Sequence, residues 1–103
     1  MTIEEREKLF RLHDGSDEAI TSRLRAAREI AGFMRQTDFA EALNINYQTY
    51  HSQEKRGRPT HSTVRFLYRS HRIDFNFIYN GDFVQLPGDV QIALEKVLCA
   101  TDS

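Results

Sequence analysis

Apolar residues recur along this chain at helical spacing. Ile20, Leu24, Ala27 and Ala31 fall at i, i+4, i+7 and i+11, a clean amphipathic stripe. They predict a helix over about 17–31, capped by Ser16 or Asp17 and closed by Gly32. Phe39, Ala40 and Leu43 fall at i, i+1 and i+4 and predict a second, short helix. Asn44 tolerates the left-handed conformation that ends a helix. Ile45 is an apolar plug after the turn, and Asn46 is a good N-cap for a new helix. That helix runs from about Tyr47 to Lys55, with Tyr50 turned into the core and Gln53 and Glu54 facing back toward the 17–31 helix. After Pro59, Val64, Leu67, Tyr68 and His71 mark the inner stripe of a helix over 60–71. Asp74 caps a short helix from Phe75 to Tyr79, whose Phe77 and Ile78 close the core before Asn80-Gly81 ends it.

Two further helices flank this set. Thr2-Ile3-Glu4-Glu5 reads as a capping box, and a helix from about Ile3 to Leu12 follows. Its apolar residues, Ile3, Leu9, Phe10 and Leu12, are few and lie late, so three fates are open to it: packing on the main domain, extending a dimer contact, or fraying. Gly15 supplies the turn after it. Beyond a connector from Phe83 to Gly88, a last helix runs from about Asp89 to Ala100. Val90, Leu94, Val97 and Leu98 form its apolar stripe, with Ala93 beside it. That stripe needs a cover, either its own domain or a second subunit, and dimerisation is the favoured reading. Cys99 is expected to be a buried small apolar residue.

The polar positions carry the functional signal. Tyr47, Gln48, His51 and Ser52 are left facing outward, a set too polar for a face aimed only at a core and suited to reading base edges. Gln48 can pair bidentately with adenine, His51 and Ser52 can donate or accept, and the tyrosine can stack on sugars or touch thymine methyls. Lys55, Arg56 and Arg58 then place three cations in four residues beside that helix, which suits phosphate oxygens. A net charge of -1 hides a strong asymmetry: residues 1–20 carry -3, residues 21–72 carry +6 and residues 73–103 carry -4. A basic middle between acidic ends fits one DNA-facing surface.

The stretch from Gln36 to Pro59, QTDFAEALNINYQTYHSQEKRGRP, resembles the helix-turn-helix of phage-repressor-like (Cro and XRE type) DNA-binding domains. Arg23 to Phe33 looks like the first helix of that family and Phe39 to Leu43 like its second. Tyr50, Glu54, Arg58 and Pro59 match landmarks in and after the third, and Ile73 to Gly81 is similar to the fifth helix and its terminal glycine. The likeness covers roughly residues 20–82. It implies a partly buried salt bridge between Arg28 and Glu54. It also implies that Gln36, at a helix N-terminus, reaches a phosphate through its side chain and backbone N–H. Four features depart from the pattern. The Phe33-Met34-Arg35 link is one residue longer than in the shorter family version. Arg35 replaces a Ser or Thr cap, Gln53 stands where an aromatic residue or leucine is common, and Arg56 occupies the usual glycine position with Gly57 after it.

The expectation is an all-α chain: a five-helix lambda-repressor-like helix-turn-helix domain over 16–82, an N-terminal helical extension over 1–15 and a C-terminal amphipathic helix over 83–103. The expected function is a sequence-specific double-stranded DNA-binding transcriptional regulator, a repressor acting as a homodimer on an inverted-repeat operator, with residues 88–100 as the dimer element. The resembling family includes prophage repressors and antitoxins. The alternative is an antitoxin or adaptor whose end helices hold a protein partner such as a toxin, with DNA secondary. No nucleophile–base pair, phosphate-cradling glycine loop or metal-ligand cluster marks an enzyme, and no cofactor is expected. A single cysteine, no apolar run of eighteen residues and no leader-like start point to a cytoplasmic protein without a membrane span.

Overall fold

A computed structural model describes residues 1–102; Ser103, the end of the segment expected over 83–103, lies outside the described residues. Among the described residues the chain is all-helical, with α1 (Ile3–Leu9), α2 (Asp17–Ile30), α3 (Gln36–Ala42), α4 (Tyr47–Arg56), α5 (His61–His71), α6 (Phe75–Asn80) and α7 (Gly88–Asp102). None of the helices is long and apolar enough to cross a membrane.

The starts of these helices follow from local chemistry. Thr2 and Glu5 exchange both capping-box bonds, at 2.9 and 3.1 Å. Ser16, Asn46, Thr60 and Asp74 each accept a backbone N–H in the first turn of the helix that follows. Arg35 makes no such cap for α3 and instead pairs with Asp38 across one turn. Asn44 takes the left-handed conformation, φ 59°, that lets α3 turn into α4.

The core is a single cluster built around α2, which packs against α4, α6 and α7. Phe10, Leu24, Phe39, Tyr50, Leu67, Phe77, Phe83 and Leu94 all belong to it. Both end segments therefore share the core of the central one. Phe10 lies edge-on to Phe77 at 5.7 Å and against Phe83 at 4.8 Å. Arg6 on α1 lies over the Phe83 ring and meets Glu95 and Gln91 on α7. Of the three fates open to the N-terminal helix, the chain adopts packing.

Several expectations are corrected. The first helix stops at Leu9 rather than Leu12, because Arg11 and His13 take left-handed conformations at φ 54° and 68°. The stripe of α7 is not a free face: Val90, Leu94 and Leu98 are buried against the chain's own α1 and α2. Residues 88–100 therefore do not offer that stripe to a second subunit. Cys99 is exposed, one position past Leu98 on the outer side of α7. Tyr68 is 53% exposed, and the inner face of α5 is Thr63, Val64 and Leu67, with Phe66 against Phe39 and Phe33.

The feature that joins these parts is Arg23, 1% exposed. It falls three residues after Ile20, inside the apolar stripe of α2. Nε donates to the Ile78 carbonyl at 2.9 Å, Nη1 to Phe10 and Arg11 at 3.1 Å each, and Nη2 to Asp14 at 2.6 Å and Tyr79 at 3.1 Å. Every N–H of the guanidinium is used. The left-handed turn after α1 and the C-terminus of α6 both aim their carbonyls at it. Burial pushes its pKa down to about 10, so it still carries its charge at neutral pH. Gly81, φ 79°, sits over the same place: a Cβ there would lie 2.7 Å from the Phe10 carbonyl oxygen and 3.1 Å from Nη1.

Two outcomes follow from this packing. Arg23→Leu removes the partner of the Phe10, Asp14, Ile78 and Tyr79 carbonyls at once, while the Arg11 carbonyl keeps the Asp14 N–H, and should lower the unfolding free energy by about 3 kcal/mol or more, read from urea midpoints. Arg23→Lys should rescue little, because three tetrahedral donors do not match a planar fork; a lysine variant as stable as the parent would refute the clamp. His71 lies against Phe33 and Phe66, and burial holds its pKa below the ordinary 6.5. The fold prefers the neutral ring, so the stability His71 allows is present above 6.5 and is lost as pH falls through the depressed value. His71→Phe should flatten the fall in urea midpoint over that range; an identical slope would show that the loss arises elsewhere.

Candidate nucleic-acid interface

Helices α3 and α4 are joined by a four-residue link, Leu43 to Asn46, that turns at Asn44, with Ile45 half-buried beneath it. Tyr50 fixes the roll of α4: its ring is fully buried, edge-on to Phe39 at 4.9 Å. With Tyr50 inward, Tyr47 and Gln48 emerge on the outer side. Tyr47 is 42% exposed and Gln48 is exposed, while His51 and Ser52 are half-buried. The rings of Tyr47 and His51 stack at 5.6 Å, one turn apart.

Beneath this face lies a buried polar network. Arg28 Nε donates to Glu54 Oε1 at 2.8 Å, with both side chains about 95% covered. The Tyr50 hydroxyl donates to the same oxygen at 2.8 Å, and Gln36 Nε2 donates to Oε2. Arg28 Nη1 also donates to the carbonyls of Phe33 and Met34, each at 2.8 Å. One ion pair thus anchors α2, the α2–α3 link and both helices of the outer pair. Burial works against the Arg28 charge, but the hydrogen bond and negative charge of Glu54 outweigh it and hold the guanidinium above its usual pKa. Burial, with the adjoining Glu54 charge, pushes the Tyr50 hydroxyl well above its usual value, so it stays protonated and donates to Glu54.

Gln36 departs from its expected role. Its side chain is spent inside the chain, with Nε2 on Glu54 and Oε1 2.8 Å from His51 Nδ1. It is not extended toward a ligand because a buried carboxylate oxygen needs a donor there more than solvent does. Gln53 also departs. It is buried, yet it faces α5 rather than α2: its Oε1 accepts the Thr60 N–H at 2.9 Å and the Thr63 hydroxyl at 2.7 Å. It thereby caps the next helix, which accounts for a polar side chain at a buried position.

The cationic loop leaves α4 through Gly57, φ 65°. A Cβ at Gly57 would stand 2.0 Å from the Asp17 carbonyl oxygen, so only glycine allows this approach to the start of α2. Lys55 and Arg56 are exposed and enter no ion pair among the described residues. Arg58 is exposed and pairs with Asp17 at 3.4 Å. Asp17 and Glu18 face the three cations across an open groove that Thr21 also lines. The outward set of α4 and the basic loop are thus neighbours on one helix and its exit.

Neither Arg23 nor the Gln36–His51 contact was identified from sequence as part of this framework. The position of Arg23 inside the apolar stripe was the available signal for the first. The second joins residues of two helices, and no local pattern marks it. Among the described residues no cluster of His, Cys, Asp and Glu could hold a metal ion. The chain matches no family model, no curated protein and no solved structure.

The network makes a direct prediction. Arg28→Met leaves Glu54 buried without its counter-ion and should cost about 3–5 kcal/mol in urea unfolding. The double variant Arg28→Met, Glu54→Leu should recover much of that loss. A double variant no better than the single one would mean that the ion pair is not what fails.

Proposed function

We propose that this protein is a sequence-specific double-stranded DNA-binding regulator, built as a lambda-repressor-like helix-turn-helix domain with two added end helices. The observation that carries the reading is the outer side of α4. Tyr47 and Gln48 are exposed there on a helix whose roll is held by buried Tyr50 and Glu54, and the exposed cations Lys55 and Arg56 follow at its exit. A helix so held can present side chains to base edges in the major groove while the loop cations meet phosphates. Gln48 would read adenine, Tyr47 a thymine methyl or a sugar, and His51 and Ser52 the neighbouring positions. Arg58, tied to Asp17, would contribute less than Lys55 and Arg56. Gln36 would support the reading face rather than contact phosphate with its side chain.

Repression would be steric, with two copies on an inverted repeat placing two α4 helices in successive major grooves. The copies would meet through a surface other than the apolar stripe of α7, which is occupied. The adaptor reading relied on end helices free to hold a partner; the apolar stripe of α7 and Leu9 at the end of α1 lie instead against the chain's own core.

Selection of bound duplexes from a random pool at near-physiological salt tests this proposal, with an enriched inverted repeat as the expected result. On that site Arg56→Ala should weaken binding to all duplexes and lower the salt slope by about one unit. Absence of binding to any duplex would refute the proposal.

A further inference from the structure

We infer that a hydrogen-bond relay from Glu54 through Gln36 sets the tautomer of His51, and so makes His51 a reader of base amino groups. This rests on the DNA-binding reading above.

The relay follows from what each group can do. Arg28 and Tyr50 both donate to the Glu54 carboxylate, which is therefore an acceptor throughout. The group facing its second oxygen must donate, so the Gln36 amide turns its NH2 to Glu54. That choice leaves Gln36 Oε1 toward His51, 2.8 Å from Nδ1. An amide oxygen only accepts, so Nδ1 must carry a hydrogen. A neutral imidazole protonated at Nδ1 has its lone pair on Nε2. No hydrogen bond within the chain engages Nε2 among the described residues, and it is not among the buried unpaired atoms. The ring is further held by its stack on Tyr47 at 5.6 Å.

His51 therefore presents an acceptor on the face of α4. In the major groove an acceptor pairs with the N4 amino group of cytosine or the N6 amino group of adenine. It is mismatched to guanine N7 and O6 and to thymine O4, which the opposite tautomer would read. Gln36 is thus a positioning residue that acts through His51 on base choice, although its own side chain touches no base.

The experiment has two readouts on the full chain. The first is the nitrogen-15 signature of the His51 ring in the free protein at about pH 8, where an unperturbed imidazole is neutral. The expected signature is Nδ1–H with bare Nε2; Nε2–H in the parent protein overturns the relay. The second is duplex selection with the parent, His51→Ala and Gln36→Leu. The position whose preference is lost in His51→Ala should be cytosine or adenine in the parent's site. Gln36→Leu should show mixed tautomers and a preference there reduced about fivefold. A guanine or thymine at that position, or an unchanged preference in Gln36→Leu with mixed tautomers, overturns the inference. If no duplex binds while the ring shows Nδ1–H, the DNA reading and the base-reading role of His51 both fall, and the failure is separated from that of the relay.

Discussion

A single guanidinium holds the ends of this chain to its middle. Arg23 sits in the core with no carboxylate within ion-pair distance among the described residues, and five backbone carbonyls fill all its donors. A buried cation is costly unless its solvation is replaced in full. Here the replacement comes from two segments far apart in sequence, the turn after α1 and the C-terminus of α6. Without the arginine the carbonyls of Phe10, Asp14, Ile78 and Tyr79 would lose this donor, and an unpaired buried carbonyl has its own desolvation cost. The strained φ angles of Arg11 and His13, and the glycine at position 81, follow from the same demand.

The second buried arginine on α2 does for the proposed DNA face what the first does for the fold. Arg28 lies five residues after Arg23 on α2, and its pair with Glu54 of α4 binds the α3–α4 pair to α2. A bare ion pair in a core is weak evidence of stability. This one is satisfied beyond the pair, by Tyr50, Gln36 and two carbonyls, so no polar atom of the network is left among the buried unpaired ones. Its consequence is orientation. The outer residues of α4 inherit a defined roll, and one of them, His51, inherits a defined hydrogen pattern as well.

The apolar stripe of α7 shows how an amphipathic helix leaves its partner undecided until the fold is known. Val90, Leu94 and Leu98 would cover a second subunit as readily as their own α2, because hydrophobic burial has no direction. The own-chain solution is reached because α1 also needs a surface. Arg6 pairs with Glu95 and Gln91 and lies over Phe83, so the two ends close over the core together.

Much of the framework was legible locally. Helix starts were, because an N-cap acts within three residues, as Thr2, Ser16, Asn46 and Asp74 do. The turn at Asn44 and the inward Tyr50 were legible for the same reason, and so was the outward Gln48. What the sequence by itself determined, then, is the set of helices, their apolar sides and the polar side of α4. Where the long polar side chains end was decided only by the tertiary structure. Gln36 turned inward to a carboxylate, Gln53 toward α5, Arg23 onto distant carbonyls and the α7 stripe onto α2. A flexible side chain or an apolar face takes whichever partner relieves the larger desolvation cost, and that partner is supplied by packing between segments that no local spacing encodes.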